Sequence, residues 1–198
     1  MASVGPSYPG TAVDNHTWGM TEWTTPEGVK DGDETDYAGA WSNTYGTRTS
    51  HNLICTNYGF SVPSAAIIAG IEVTMHGYGY DDYPNNYPYD CYMYIVKGGV
   101  IKTDVNKASP THWEYSPHET RVYGGPTDLW GQTWTPTDIS ASTFGFSYNV
   151  SNSVTTSVSY LNLFWVTMTV YYNVGVKFCA VACSKIDGVA VSKFDGVT

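Results

Sequence analysis

The sequence predicts an all-β fold, a β-sandwich of the jelly-roll kind, and three observations carry that expectation. Apolar and polar residues alternate at period two along several stretches, the pattern of strands with one buried face. Glycine and proline are abundant, at 20 and 10 residues, and gather between those stretches as turn residues do. No run of a dozen residues has helical periodicity. Many short strands joined by turns close into a sandwich or barrel. A chain of 198 residues has room for one such domain and a tail.

The elements follow in order. Residues 1–20, rich in Gly and Pro, predict an extended N-terminal arm that a neighbour would order. Residues 21–176 form the sandwich domain. Ile71, Val73 and Met75 alternate with Glu72, Thr74 and His76, and Cys91, Met93 and Ile95 with Tyr92, Tyr94 and Val96. Phe144, Phe146 and Tyr148 alternate with Gly145, Ser147 and Asn149. Phe164, Val166, Met168, Val170 and Tyr172 predict one face of a long last strand, with Thr167 and Thr169 on the other. Turn-rich connections are expected at 26–33, 78–89, 106–119 and 124–134, and one helical turn near 138–142, entered through Thr135-Pro136-Thr137.

Residues 177–198 repeat every eight: KFCAVACS, KIDGVAVS, KFDGVT. Lys185 and Lys193, Ile186 and Phe194, Asp187 and Asp195, and Gly188 and Gly196 stand in register, and Asp-Gly is a turn dipeptide. So short a repeat needs stacked neighbours to bury its apolar positions. The tail is therefore expected to dock on another chain, with Ile186 and Phe194 buried there and the lysines exposed. Its first copy should run straight on from the last strand.

Net charge is −9 and unevenly placed. The tail has three Lys and two Asp, or +1, which leaves the body six basic and 16 acidic residues, or −10. Such a body repels phosphate backbones, so nucleic acid is not an expected partner. The most apolar stretch, near 161–172, is broken by Asn162, Thr167 and Thr169, and falls short of the roughly 20 apolar residues of a membrane span. The first ten residues lack a basic and then an apolar region, so secretion is not expected, and Cys55, Cys91, Cys179 and Cys183 are expected as free thiols.

Five stretches carry a family resemblance. They are WTTPEGVKDGDETDYAGA at 23–40, LICTNYGFSVPSAAIIAGIEV at 53–73, and Val96-Lys97-Gly98-Gly99 followed by Asn106-Lys107-Ala108. YGGPTDLWGQTWTPTDISASTF at 123–144 and VTMTVYY at 166–172 complete them. In this order they resemble a jelly-roll-like domain of bacteriophage structural proteins, across roughly residues 20–173. The tail resembles the short K-I-x-G-V repeats that end many phage virion proteins. The resemblance implies a virion component and carries no catalytic site. The Tyr-rich insert at 78–89 departs from the pattern.

That insert places Tyr80, Tyr83, Tyr87 and Tyr89 among Asp82 and Asn86. Tyrosine offers a flat apolar face and a hydroxyl at low entropic cost, and carboxylates and amides suit sugar hydroxyls. A host glycan or a neighbouring subunit is the expected contact. Asp31, Asp33, Glu34 and Asp36 crowd a loop that reads as solvated acid and lacks the spacing of a 12-residue calcium loop. His112, Glu114, His118 and Glu119 share a second loop, while His16, His51 and His76 are scattered. Trp130 and Trp134 are expected to wedge a sandwich corner shut. No catalytic residue, metal ligand or cofactor is assigned. The leading expectation is a non-enzymatic virion protein, assembled in the host cytoplasm as a capsid-decorating, cement or fibre subunit. Its partners would be other virion proteins and copies of itself, with a homotrimer taken by analogy. The alternative is a carbohydrate-binding or receptor-binding module acting through 78–90.

Overall fold

The structure, a computed structural model, describes residues 1–42, 49–81, 87–152, 159–175, 185–186 and 189–190. Its strands are β1 (Ala2–Ser7), β2 (Thr11–Asn15), β3 (Trp23–Thr24), β4 (Ala38–Ser42), β5 (Asn52–Thr56), β6 (Ala66–Asp81) and β7 (Tyr89–Lys97). They continue with β8 (Val100–Lys102), β9 (Glu119–Gly125), β10 (Gly145–Ser151), β11 (Ser159–Val174), β12 (Lys185–Ile186) and β13 (Val189–Ala190). A 3₁₀ turn at Pro26–Val29 and the short helix α1 at Pro136–Ser140 are the helical pieces among the described residues.

Two antiparallel sheets form an all-β sandwich. The first runs β3-β4-β11-β6-β9, with β1 also paired to β11, and the second runs β2-β5-β10-β7-β8. One cluster of buried side chains lies between them, including Leu53, Ile71, Met75, Met93, Phe146, Tyr148 and Leu161. Each such side chain taken fully out of water contributes about 1.5–3 kcal/mol, before the entropy of ordering it.

The alternation of Ile71, Val73 and Met75 with Glu72, Thr74 and His76 is present in β6, the first set buried and the second on the outer face. In β7 a register shift opposite Asn149/Val150 changes the parity. Asp90 takes the buried place that the pattern gave to Cys91, while Met93 and Ile95 keep theirs.

The long last strand differs more. A shift between Leu163 and Trp165 lets two residues of β11 face one of β6. Leu161 and Leu163 point inward before it, and Val166, Met168 and Val170 after it. Phe164, expected with the inner set, instead lies on the outer face against Tyr78 and His76.

Residues 1–20 also differ from an arm held by a neighbour. β1 pairs with residues 168–172 of β11, the edge that β4 leaves free, and β2 pairs with β5. Gly5 makes the first docking possible, because a Cβ there would lie 2.5 Å from the Met168 carbonyl oxygen.

The helical turn sits where expected. Thr135 Oγ1 accepts from the Asp138 backbone N–H, and Asp138 Oδ2 accepts from the Thr135 N–H, a reciprocal cap. Trp130 is buried and donates Nε1–H to the Ile71 carbonyl at 2.9 Å, closing one end of the sandwich. In the tail, Lys185 pairs with Ala190 and Ile186 with Val189, a hairpin register with two residues between the strands.

Candidate functional site

The outer face of the first sheet carries the candidate site, and β6 explains why. Along HGYGYD, 76–81, the inner positions are Gly77 and Gly79, where a Cβ would meet backbone carbonyls at 2.2 Å (Asn162) and 2.4 Å (Trp113). The outer positions are His76, Tyr78 and Tyr80. β11 contributes Tyr160 and Asn162 opposite them, and its bulge adds both Phe164 and Trp165 to the same face. Trp41 comes from β4, and Tyr115 and His118 from the loop before β9.

These rings form one continuous row. Trp41 stacks on Tyr160 at 5.4 Å, and Tyr160 on Tyr80 at 4.9 Å. Tyr115 sets its edge against Tyr80 at 5.3 Å and against Tyr78 at 5.6 Å. Tyr78 stacks on His118 at 4.8 Å, which in turn lies 5.0 Å from Phe164. Trp165 stacks on His76 at 5.2 Å. Trp41 is 46% exposed and Tyr115 50%, so the row offers open ring faces as well as internal contacts.

Polar atoms crowd Gly39, beside Trp41. Gly39 has no side chain, and the point its Cβ would occupy lies 2.9 Å from Trp41 Nε1, 3.0 Å from Thr24 Oγ1 and 3.1 Å from Asn162 Oδ1. Asn162 is buried and donates its amide to the Tyr78 hydroxyl at 2.8 Å, while its Oδ1 has no partner among the described residues. The adjoining groove, about 480 Å³, is lined by Thr24, Thr25, Glu27, Asp36, Tyr37 and Trp41, a size in the range of small-molecule sites.

At the other end of the row, Glu34 reaches His76, with Oε1 3.3 Å from Nε2. His76 Nδ1 lies 2.8 Å from Thr120 Oγ1. The ligand atoms of Glu34, His76 and His118 all fall within 4.8 Å of one another. The rest of the acidic loop folds on itself. Asp33 Oδ1 accepts from the Thr35 N–H and hydroxyl at 2.9 and 2.8 Å, and these bonds hold the Asp33 carboxyl below its usual range.

Inside the sandwich, Asp90 anchors a saturated network. Its Oδ1 accepts from Tyr148, Trp113 and Arg121, and its Oδ2 from Tyr123 and the Ser109 N–H. Arg121 also donates to Glu119 and to the carbonyls of Thr111 and His112, and its guanidinium lies 4.0 Å from the centre of the Trp113 ring. Five donors fill the buried carboxylate, so the cluster works as a bracket between the sheets and leaves no lone pair for a substrate.

Of the residues singled out from sequence, Tyr80 lies in the row. Tyr87 is half-buried, and Tyr89 opens β7 and stacks on His112 at 5.8 Å, away from the row. Asp82, Tyr83 and Asn86 lie outside the described residues, as do Asp187, Gly188, Lys193, Phe194, Asp195 and Gly196 of the tail. Lys185 and Ile186 form β12. Of the loop quartet, Glu119 is held by Arg121 and by the Glu114 N–H, and His118 alone reaches the row. Trp41, Tyr115, Tyr160, Trp165, Asn162 and the pairing of Glu34 with His76 were not foreseen. The period-two spacing of His76, Tyr78 and Tyr80 was the one sequence signal pointing to this face.

Comparison of the chain with protein-family models, with curated proteins and with solved structures finds no match.

Proposed function

We propose that this chain is a non-catalytic binding module of jelly-roll type whose outer aromatic face takes a carbohydrate. The strand order supports the jelly-roll reading. From β4 to β11 successive strands alternate between the sheets except at β8, giving β4-β11-β6-β9 facing β5-β10-β7-β8. The carbohydrate reading rests on one observation: the row carries the exposed rings of Trp41 and Tyr115, and Trp41 also lines a groove whose other walls bear Thr24, Thr25, Glu27 and Asp36. A pyranose needs that pairing, an apolar ring face to cover its C–H groups and fixed donors and acceptors for its hydroxyls. The two sequence readings thereby change order, since the tyrosines of 78–80 act with a wider row.

A glycan array on the purified chain, followed by titration of the best ligand, tests this. Trp41→Ala should cut affinity at least tenfold, with no change in melting temperature beyond about 2 °C, because a half-exposed side chain adds little to stability. An array without binding, or equal binding by the variant, overturns the reading.

The tail supports a second reading, a subunit of a virion or similar particle that contacts copies of itself. Its hairpin register and octad spacing suit addition to a neighbour's repeats. Light scattering on the full chain and on residues 1–176 tests it. Equal masses and equal particle binding would leave the tail without an assembly role.

A further inference from the structure

The geometry points to a site for a divalent first-row transition cation, Zn²⁺ being the natural occupant, formed by Glu34, His76 and His118. Their donor atoms lie within 4.8 Å of one another. The separation of His76 Nε2 from Glu34 Oε1, 3.3 Å, already matches the distance between donors in a tetrahedral site with ligands at about 2.0–2.1 Å. Only the third corner has to close. His118 and Glu34 stand in two irregular segments outside the strand ladders.

Two further features go beyond a chance meeting of polar groups. His76 meets Thr120 through its second ring nitrogen, Nδ1, at 2.8 Å. Metal-binding histidines are held in this way, with one nitrogen fixed by a protein oxygen so that the other faces the ion. Both rings are also braced. Trp165 stacks on His76 at 5.2 Å and Tyr78 on His118 at 4.8 Å, so little rotamer freedom is lost on binding. A simple ion pair between Glu34 and His76 would need neither His118 nor Thr120.

The donor set selects the ion. Two imidazoles and one carboxylate suit Zn²⁺, Co²⁺ or Ni²⁺, whereas Ca²⁺ and Mg²⁺ take oxygen ligands in larger number. Three protein donors leave a fourth position open. With Glu34 and His118 exposed, that position is available to water or to an oxygen of a bound ligand. The site does not depend on the carbohydrate reading, and its test uses the metal alone.

The experiment titrates Zn²⁺ calorimetrically into the full chain carrying Cys179→Ser and Cys183→Ser, which removes the tail thiols as competing ligands. One equivalent should bind with micromolar Kd. Glu34→Gln and His118→Ala, both exposed positions, should each weaken binding at least tenfold with unchanged far-ultraviolet circular dichroism and melting temperature. Thr120→Val should weaken it about tenfold by freeing the His76 ring. Co²⁺ should give tetrahedral absorption without the charge-transfer band of thiolate ligation. Absence of one-to-one binding overturns the proposal. So does binding that Glu34→Gln and His118→Ala leave unchanged.

Discussion

Asp90 Oδ1 takes the hydroxyl hydrogen of Tyr148 at 2.7 Å, with both side chains buried between the sheets. Asp90 stands on β7 and Tyr148 on the neighbouring β10, while two further donors, Arg121 and Tyr123, come from β9 of the opposite sheet. One carboxylate thus ties the two layers together. Removing it takes an acceptor from four polar side chains, leaves the Tyr123 and Tyr148 hydroxyls without theirs, and leaves Arg121 with Glu119 as its counter-charge among the described residues. Asp90→Ala should cost about 3–5 kcal/mol, or roughly 10 °C in melting temperature for a domain of this size. Asp90→Asn should cost less but not nothing, because its amide hydrogens would face the Ser109 N–H, which cannot accept. Denaturant titration of both variants checks the order. Equal loss in the two would mean that volume, not hydrogen bonding, sets the cost.

Stability should fall at alkaline pH. Burial pushes the phenols of Tyr58 and Tyr148 well up, and for Tyr148 the Asp90 charge adds to it. The folded chain then keeps protons that the unfolded chain releases above about pH 10. The contribution is full below that value and is lost as pH rises beyond it toward the folded-state values. Denaturation midpoints should be flat from neutral pH to about pH 8, fall gently as the buried Cys55 thiol contributes in the same sense, and fall more steeply above about pH 10. The Tyr58 hydroxyl has no hydrogen-bond partner among the described residues, so Tyr58→Phe should flatten the decline and add about 1 kcal/mol at neutral pH. An unchanged alkaline slope in that variant would count against buried phenols as the cause.

The bulge in β11 predicts an asymmetry between two deletions. Leu163 pairs with Gly77 and Trp165 with His76, so Phe164 is the extra residue. Deleting Phe164 would restore plain alternation and keep Val166, Met168 and Val170 facing inward. Deleting Thr167 would turn Leu163 and Val166 outward or Met168 and Val170 outward, since a one-residue slip flips every side chain. The first deletion should give a folded chain with a shortened aromatic row. The second should abolish folding. Circular dichroism and thermal melts of the two deletions distinguish them, and equal damage would argue that the bulge does not set the register.

That bulge also marks where the sequence stopped being legible. A strand with one dry and one wet face announces itself by period two, as β6 does with Ile71, Val73 and Met75; β10 carries Phe146 and Tyr148 where the pattern puts them although both its faces are buried. β11 does not, because its outer face is nearly as apolar as its inner face, and Phe164 fits either parity. The site was harder still. Glu34, His76 and His118 are far apart in the chain and lie on three separate elements, so no local spacing could unite them. The groove beside Trp41 joins Thr24, Glu27 and Asp36, which stand on β3, the 3₁₀ turn and the acidic loop, so no local spacing announces it. The insert at 78–89 was legible as a tyrosine-rich contact surface but was expected as a turn-rich loop; residues 78–81 instead extend β6, because Gly77 and Gly79 let the strand run on against β11.

The two described cysteines should differ in reactivity. Cys55 is fully buried in β5, where burial, and then the charge of Glu27, push its thiol well up. Cys91 is half-buried at the bulge of β7, and burial raises it less far. Alkylation needs the thiolate and access to it, and folded Cys55 offers neither. In native buffer at neutral pH, iodoacetamide should leave Cys55 unlabelled over hours and modify Cys91 slowly. In denaturant both should react at the rate of an ordinary thiol. Peptide masses after timed quenching read the two sites separately. Native labelling of Cys55 as fast as Cys91 would mean that β5 leaves the sheet readily, which its pairing with both β2 and β10 argues against.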